Sequence, residues 1–193
     1  MRSVCVFCGS RAGARPAYAA TARAVGEAVA RRGMTLVYGG GDIGLMGEVA
    51  DAATAAGGTV IGIIPRHLLR KEIAHQGLSE LLVVDSMHIR KATMNDLSDG
   101  FVVLPGGYGT WEEWFETVTW AQLGLHRKPC GVLNADGFYD PMLRMIDQAV
   151  EEGFVDPEQR RLVIDAVDIE TLLDTMERFV PLETPVWLEP GQQ

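Results

Sequence analysis

Short runs of β-branched and other apolar residues alternate with longer amphipathic stretches along almost the whole chain, and this alternation constrains the fold more than any other feature. Val4–Phe7, Leu36–Tyr38, Val60–Ile64, Leu81–Val84, Phe101–Leu104 and Gly131–Leu133 read as strands, several of them apolar at every position. Uninterrupted apolar strands are buried on both faces, as in a parallel sheet covered by helices on each side. Helical patterns fill the intervals: Pro16–Arg32, Leu45–Ala56, His88–Ser98, Glu112–Leu123 and Tyr139–Glu152. In the first, Ala20, Ala24, Val25, Ala28 and Val29 share one side. Val163–Val167 reads as a last short strand and Ile169–Val180 as a closing helix. The order predicts an α/β, Rossmann-like doubly wound parallel sheet with helices on both faces. The 193 residues fit one domain, expected over residues 1–180, and the proline-bearing end at 181–193 is expected to be loosely held.

In a sheet of this kind, ligands bind beyond the carboxyl ends of the strands. Three glycine-rich loops fall there: Gly9-Ser10 after the first strand, Gly39-Gly40-Gly41-Asp42-Ile43-Gly44 after the second, and Pro105-Gly106-Gly107-Tyr108-Gly109-Thr110 after the fifth. Turns alone do not require so many glycines, so the rim reads as a surface where backbone approaches a ligand closely. Gly39, Gly41 and Gly44 match the G-x-G-x-x-G spacing of dinucleotide sites. That match follows the second strand instead of the first, and the position for a ribose-binding carboxylate reads Ile63-Ile64-Pro65-Arg66. A Gly-Lys-Ser/Thr phosphate loop is absent from the sequence. No cofactor is expected.

Thr110-Trp111-Glu112-Glu113 has two readings. As structure it is a capping box, in which Thr110 accepts from the Glu113 amide and Glu113 reaches back. As function, glycine-presented amides at a helix N-terminus bind phosphate, and a carboxylate one turn inside meets the attached sugar. A second cluster, Ser86-Met87-His88-Ile89-Arg90-Lys91, follows the fourth strand. Ser86 is a helix cap, and Arg90 and Lys91 fall in the first turn, where the helix dipole disfavours cations. Two cations at a ligand rim point to an anionic partner; the plain alternative is a solvated polar patch.

The net charge of −9 opposes binding to nucleic acid or an anionic membrane. No apolar run reaches membrane-spanning length, and the N-terminus reads as a strand, not a signal peptide. Cys5 and Cys8 have C-x-x-C spacing, but thiols three apart on a strand point to opposite faces, so both read as buried bystanders. A reducing, cytoplasmic compartment follows. His67, His75, His88 and His126 lack zinc-ligand spacing, and no metal is expected.

Cys8-Gly9-Ser10, Gly39-Gly40-Gly41-x-x-Gly44-Leu45-Met46-Gly47, Met87-His88-x-Arg90-Lys91-x-x-Met94 and Pro105-Gly106-Gly107-x-Gly109-Thr110-x-x-Glu113 together resemble the Lonely Guy family, from about Val4 to Val180. The last two motifs are specific as a pair. The resemblance implies a cytokinin-activating phosphoribohydrolase. Such an enzyme cleaves the N-glycosidic bond of N6-substituted adenosine 5′-monophosphates, and of AMP, to free base and ribose 5-phosphate. It implies Arg90 and Glu113 as catalytic residues. It implies substrate contacts from Glu72, Arg90, Lys91, Gly107, Tyr108, Gly109, Thr110, Trp111, Glu112, Glu113 and Thr119. The family is similar to homodimers with the site at the subunit contact. Its older lysine decarboxylase label would need a pyridoxal phosphate Schiff base, and Lys71, Lys91 and Lys128 are the only lysines. The rival is a non-catalytic nucleotide or molybdenum-cofactor carrier, as in related folds that hold a phosphorylated pterin without cleaving it, and a carrier has no need of a paired Arg90 and Glu113.

Overall fold

The computed structural model describes residues 1–69 and 74–183. Glu72 and Lys71, and most of the expected tail at 181–193, lie outside the described residues.

Seven parallel strands form one sheet in the order β4-β3-β2-β1-β5-β6-β7. They are β1 (Ser3–Phe7), β2 (Thr35–Tyr38), β3 (Val60–Pro65), β4 (Glu80–Val84), β5 (Phe101–Val103), β6 (Cys130–Leu133) and β7 (Val163–Ala166). The helices are α1 (Pro16–Arg31), α2 (Gly44–Ala55), α3 (Met87–Asp96), α4 (Tyr108–Gln122), α5 (Asp140–Glu151) and α6 (Ile169–Glu177). The expected α/β, doubly wound fold is therefore the observed one, with each strand within one residue of its expected bounds.

The chain lays down β1 to β4 in one direction, then crosses back so that β5 pairs with the free side of β1. Loops leaving β1 and β5 therefore diverge to opposite faces, and a crevice opens between them at their carboxyl ends.

Alternation along β1 sends side chains into two cores. Val4, Val6 and Cys8 join α1, α2 and α6 on one face. Cys5 and Phe7 join Trp114, Tyr139 and Met94 on the other. The two thiols diverge as their spacing requires, and all three cysteines are free and buried. Burial pushes the Cys130 thiol up to about 12.

Helix α3 contrasts with its neighbours. Only Arg90 and Met94 of its residues are buried. Ser86 Oγ caps it, accepting from the Ile89 amide at 3.2 Å, Met94 packs into the second core, and Lys128 Nζ donates to the Asn95 carbonyl at 2.6 Å.

His126 is a buried histidine whose bonds fix its proton. The Lys128 amide donates to Nδ1 at 3.2 Å, so Nε2 carries the hydrogen and donates to the Thr117 carbonyl at 2.9 Å. Burial is the main cause of a pKa lowered to about 4, with Lys128 adding to it and the Thr117 bond opposing it. Because the folded value lies below the unfolded one, the stabilisation is complete above the unfolded pKa and is lost as pH falls toward 4. Urea denaturation of the wild type is expected to show stability falling across this window. A His126→Asn variant is expected to lose less over the same interval, measured as the shift in transition midpoint.

Candidate active site

The crevice between β1 and β5 is a cavity of about 490 Å³, a size suited to a small ligand. One wall is the loop Cys8–Gly13; the other is the loop Pro105–Gly107 with the start of α4. Backbone bonds tie these loops together: the Gly9 amide donates to the Pro105 carbonyl at 3.0 Å, and the Leu45 amide donates to the Gly9 carbonyl at 3.0 Å.

Helix α4 begins four residues earlier than expected, at Tyr108. Its N-cap is Gly107, which offers no side chain to the helix, and Thr110 is already the third helical residue. The capping box over Thr110–Glu113 is therefore not formed. Thr110 is buried and packs its side chain over the α-carbon of Gly106, where a methyl group would overlap it. The reason is local. A glycine cap leaves the first helical amides without side-chain acceptors, and those amides face the cavity that Gly107, Tyr108, Gly109 and Thr110 line. Helix N-termini in this condition hold anions. Glu112 and Glu113 become the fifth and sixth residues of α4, deeper than the first turn. At a rise of about 1.5 Å per residue, Glu113 lies roughly 8 Å along the axis from the Tyr108 amide and about 4.5 Å from that of Thr110.

Arg90 enters from α3, where it is the fourth residue and Lys91 the fifth, since the helix begins at Met87. Arg90 is 5% exposed. Its Nη2 donates to the Gly39 carbonyl at 3.0 Å. A methyl at Gly39 would overlap that same nitrogen. The second glycine loop thus has a use that the dinucleotide spacing did not suggest: it makes room for a guanidinium. Arg90 and Glu113 both line the cavity, as do Met87 and Glu112. Burial first, and the Glu113 charge second, push the Cys8 thiol well above its usual range, so Cys8 is a neutral wall residue.

Lys91, Trp111 and Thr119 do not line this cavity. The Lys91 ammonium lies 2.5 Å from Glu112 Oε1 and 2.8 Å from Glu116 Oε1. Thr119 Oγ1 donates to the Phe115 carbonyl one turn back on α4. Trp111 meets the exposed Tyr108 ring edge-on at 5.4 Å. Leu45 and Met46 of the second glycine-loop motif also line the walls, and Tyr18, Leu68 and Phe138 complete them without having been singled out in the sequence. Leu68 stands just beyond the end of β3, a position that could have marked it.

Among the described residues, Asp42, Asp51 and His75 form one group of metal-ligating type outside the cavity, with ligand atoms within 4.8 Å of one another. The Gly77 amide donates to His75 Nδ1 at 3.0 Å, so Nε2 carries the hydrogen and donates to Asp51 Oδ1 at 3.0 Å. A metal would need the lone pair that this tautomer lacks. The trio instead fastens residues 74–77 to α2 and, through the His75 amide and the Gly40 carbonyl, to the second glycine loop.

Comparison with known proteins places this architecture. A family model described as "Possible lysine decarboxylase" matches residues 46–176. A rice protein (Oryza sativa subsp. japonica), the "Probable cytokinin riboside 5'-monophosphate phosphoribohydrolase LOGL9", is 50% identical over 181 residues, covering 94% of this chain and 80% of that protein. This chain belongs to the Lonely Guy family. A second relative in the family, the "Cytokinin riboside 5'-monophosphate phosphoribohydrolase LOG2" of Arabidopsis thaliana, is 47% identical over 180 residues, covering 93% of this chain and 84% of that protein. Among solved structures, the molybdenum cofactor carrier protein of Chlamydomonas reinhardtii superposes with a TM-score of 0.68 at 20% identity, over 91% of this chain and 96% of that one. At that identity the likeness is one of fold.

The Gly39 contact gives a direct test of how the family's second glycine loop works here. Gly39→Ala is expected to cost about 1–3 kcal/mol in urea denaturation, as overpacking does. The cost is expected to shrink in an Arg90→Lys background, where the overlapping nitrogen is gone.

Proposed function

We propose that this chain hydrolyses the N-glycosidic bond of N6-substituted adenosine 5′-monophosphates, and of AMP, releasing the base and ribose 5-phosphate. The observation that carries the reading is the glycine-capped start of α4, which opens into the same cavity as Arg90 and Glu113. Relatives 47–50% identical to this chain bear the name of that activity.

Breaking a ribosyl–adenine bond builds positive charge on the sugar and negative charge on the departing base. The 5′-phosphate accepts from the amides of Tyr108, Gly109 and Thr110, which turns remote binding energy into orientation of the reacting carbon. Glu113, about one turn further along α4, faces the ribose. There it stabilises the oxocarbenium-like sugar, holds its hydroxyls or activates water. Arg90, held by the Gly39 carbonyl, supplies the counter-charge for phosphate or leaving base.

The assembly we propose is a homodimer. Ile89 of α3, Phe115 of α4 and Leu123 at the end of α4 are large apolar side chains left on the outer surface. Pairing of these helices between two copies would cover them. It would also give Thr119 a route to the neighbouring cavity. Free, buried thiols are in keeping with a cytoplasmic location. Among the described residues, neither lysine favours the decarboxylase description: Lys91 is engaged by two glutamates and Lys128 by the Asn95 carbonyl.

Incubation of the pure protein with AMP and with isopentenyladenosine monophosphate, followed by chromatography for free base, tests the reading; a carrier would return both nucleotides intact. Glu113→Gln is expected to lower turnover by about 10²–10⁴-fold; wild-type turnover in that variant would remove Glu113 from the chemistry. Substrates lacking the 5′-phosphate are expected to react roughly 10²-fold more slowly or worse, measured as kcat with the nucleoside. Equal turnover of nucleoside and nucleotide would reject the phosphate cradle.

A further inference from the structure

We infer that Tyr139, just before α5, is a positioning residue. Its hydroxyl holds the peptide from which the Pro105–Gly107 loop departs, and so sets where the amides of α4 meet a phosphate. The inference rests on the reading of the cavity as a nucleotide-cleaving site. Behind it is a break in the ladder between β1 and β5. Phe7 pairs with Val103 there, and the Leu104 amide donates to the Phe7 carbonyl at 2.9 Å. In a regular parallel ladder the next bond runs from the Gly9 amide to the Leu104 carbonyl. The Gly9 amide donates instead to the Pro105 carbonyl, one residue further on, at 3.0 Å. The Leu104 carbonyl is thereby released from the ladder at a residue that is wholly buried. A buried carbonyl without a donor is costly. Tyr139 supplies the donor, its hydroxyl lying 2.7 Å from the Leu104 carbonyl oxygen.

Tyr139 is itself firmly seated. Its amide donates to Asn134 Oδ1 at 2.8 Å, and Asn134 Nδ2 donates to Asp140 Oδ1 at 2.7 Å. The Asn134 amide is tied in turn to the Ala166 carbonyl at the end of β7, at 2.8 Å. The Tyr139 ring meets Trp114 of α4 edge-on at 5.3 Å. Tyr139 therefore touches both segments that flank the loop, β5 through a hydrogen bond beyond its end and α4 through a ring contact. Burial pushes the phenol above its usual range, so the hydroxyl keeps the proton that it donates. Tyr139 does not line the cavity, so it acts on a ligand through the loop. Without the hydroxyl, the Leu104 carbonyl either stays unpaired or recovers the Gly9 amide. Recovery draws the loop back by one residue and moves the cap Gly107, with the amides behind it, away from the position that a phosphate requires.

The test is Tyr139→Phe, which keeps the ring and removes only the hydroxyl. The dissociation constant for ribose 5-phosphate, measured by titration calorimetry, is expected to rise about tenfold, the scale of one hydrogen bond. The kcat/KM on AMP is expected to fall by a similar factor. The inhibition constant of adenosine, which has no phosphate, is expected to change less than threefold. That contrast is the readout that a merely structural role would not produce, since general loosening of the core weakens both ligands alike. Folding is followed by circular dichroism. Asn134→Ala, which removes the acceptor for the Tyr139 amide, serves if Tyr139→Phe does not fold, and the same contrast is expected of it. A Tyr139→Phe protein that binds ribose 5-phosphate as tightly as the wild type would overturn the inference, and so would equal weakening of ribose 5-phosphate and adenosine. Wild-type protein that binds ribose 5-phosphate but leaves AMP intact would reject the activity alone, and the calorimetric comparison would still decide the role of Tyr139. Wild-type protein that does not bind ribose 5-phosphate would remove the cradle and the inference together.

Discussion

Everything at the site depends on where the parallel sheet turns back on itself. Three strands, β2 to β4, run outward from β1 in one direction, and the fifth returns to its open side. The connections leaving β1 and β5 must then part to opposite faces. No side chain creates the resulting crevice; it is a consequence of strand order. What the residues supply is its lining, and at the two innermost loops that lining is mostly backbone.

Backbone is an unusual recognition surface because it offers donors without flexible side chains to order. At α4 the cap is Gly107, so the helix keeps its first amides for whatever enters the cavity. At β2 the glycine loop performs the opposite service and offers a carbonyl, that of Gly39, to the buried guanidinium of Arg90. The two glycine clusters look alike in one-letter code and do complementary work. One presents hydrogen to an anion; the other presents oxygen to a cation, which in turn faces the same space. A protein of net charge −9 thereby keeps donors and a guanidinium at one cavity, the local environment that the proposed nucleotide phosphate needs.

The sheet was legible residue by residue because its strands are continuously apolar and sharply bounded, so that β1, β2, β3, β5 and β6 could be read within a residue of their ends. The start of α4 was not. Gly107-Tyr108-Gly109 reads as a breaker, and only the surrounding crevice shows why a helix begins there with its amides uncovered. Thr110 and Glu113 match a capping box in pattern, yet Thr110 is drawn away by the bare α-carbon of Gly106. Arg90 and Glu113 were recognisable as a pair by motif, and the cavity does bring them together. Tyr18, Leu68 and Phe138 were invisible because each comes from a different crossover, and sequence neighbours carry no mark of convergence. The engagement of Lys91 by Glu112 and Glu116 was hidden for a related reason: the partners are 21 and 25 positions away, on another helix.

The three cysteines have a consequence beyond packing. Cys5 and Cys130 are enclosed within the interior while Cys8 lines the cavity wall, and burial holds all three in their protonated, unreactive forms. Thiol-directed alkylating reagents and mild oxidants therefore do not reach Cys5 or Cys130 until the chain opens. Loss of free sulfhydryl over time becomes a clock for transient opening, and the residue modified first, β1 or β6, names the part of the sheet that lets go.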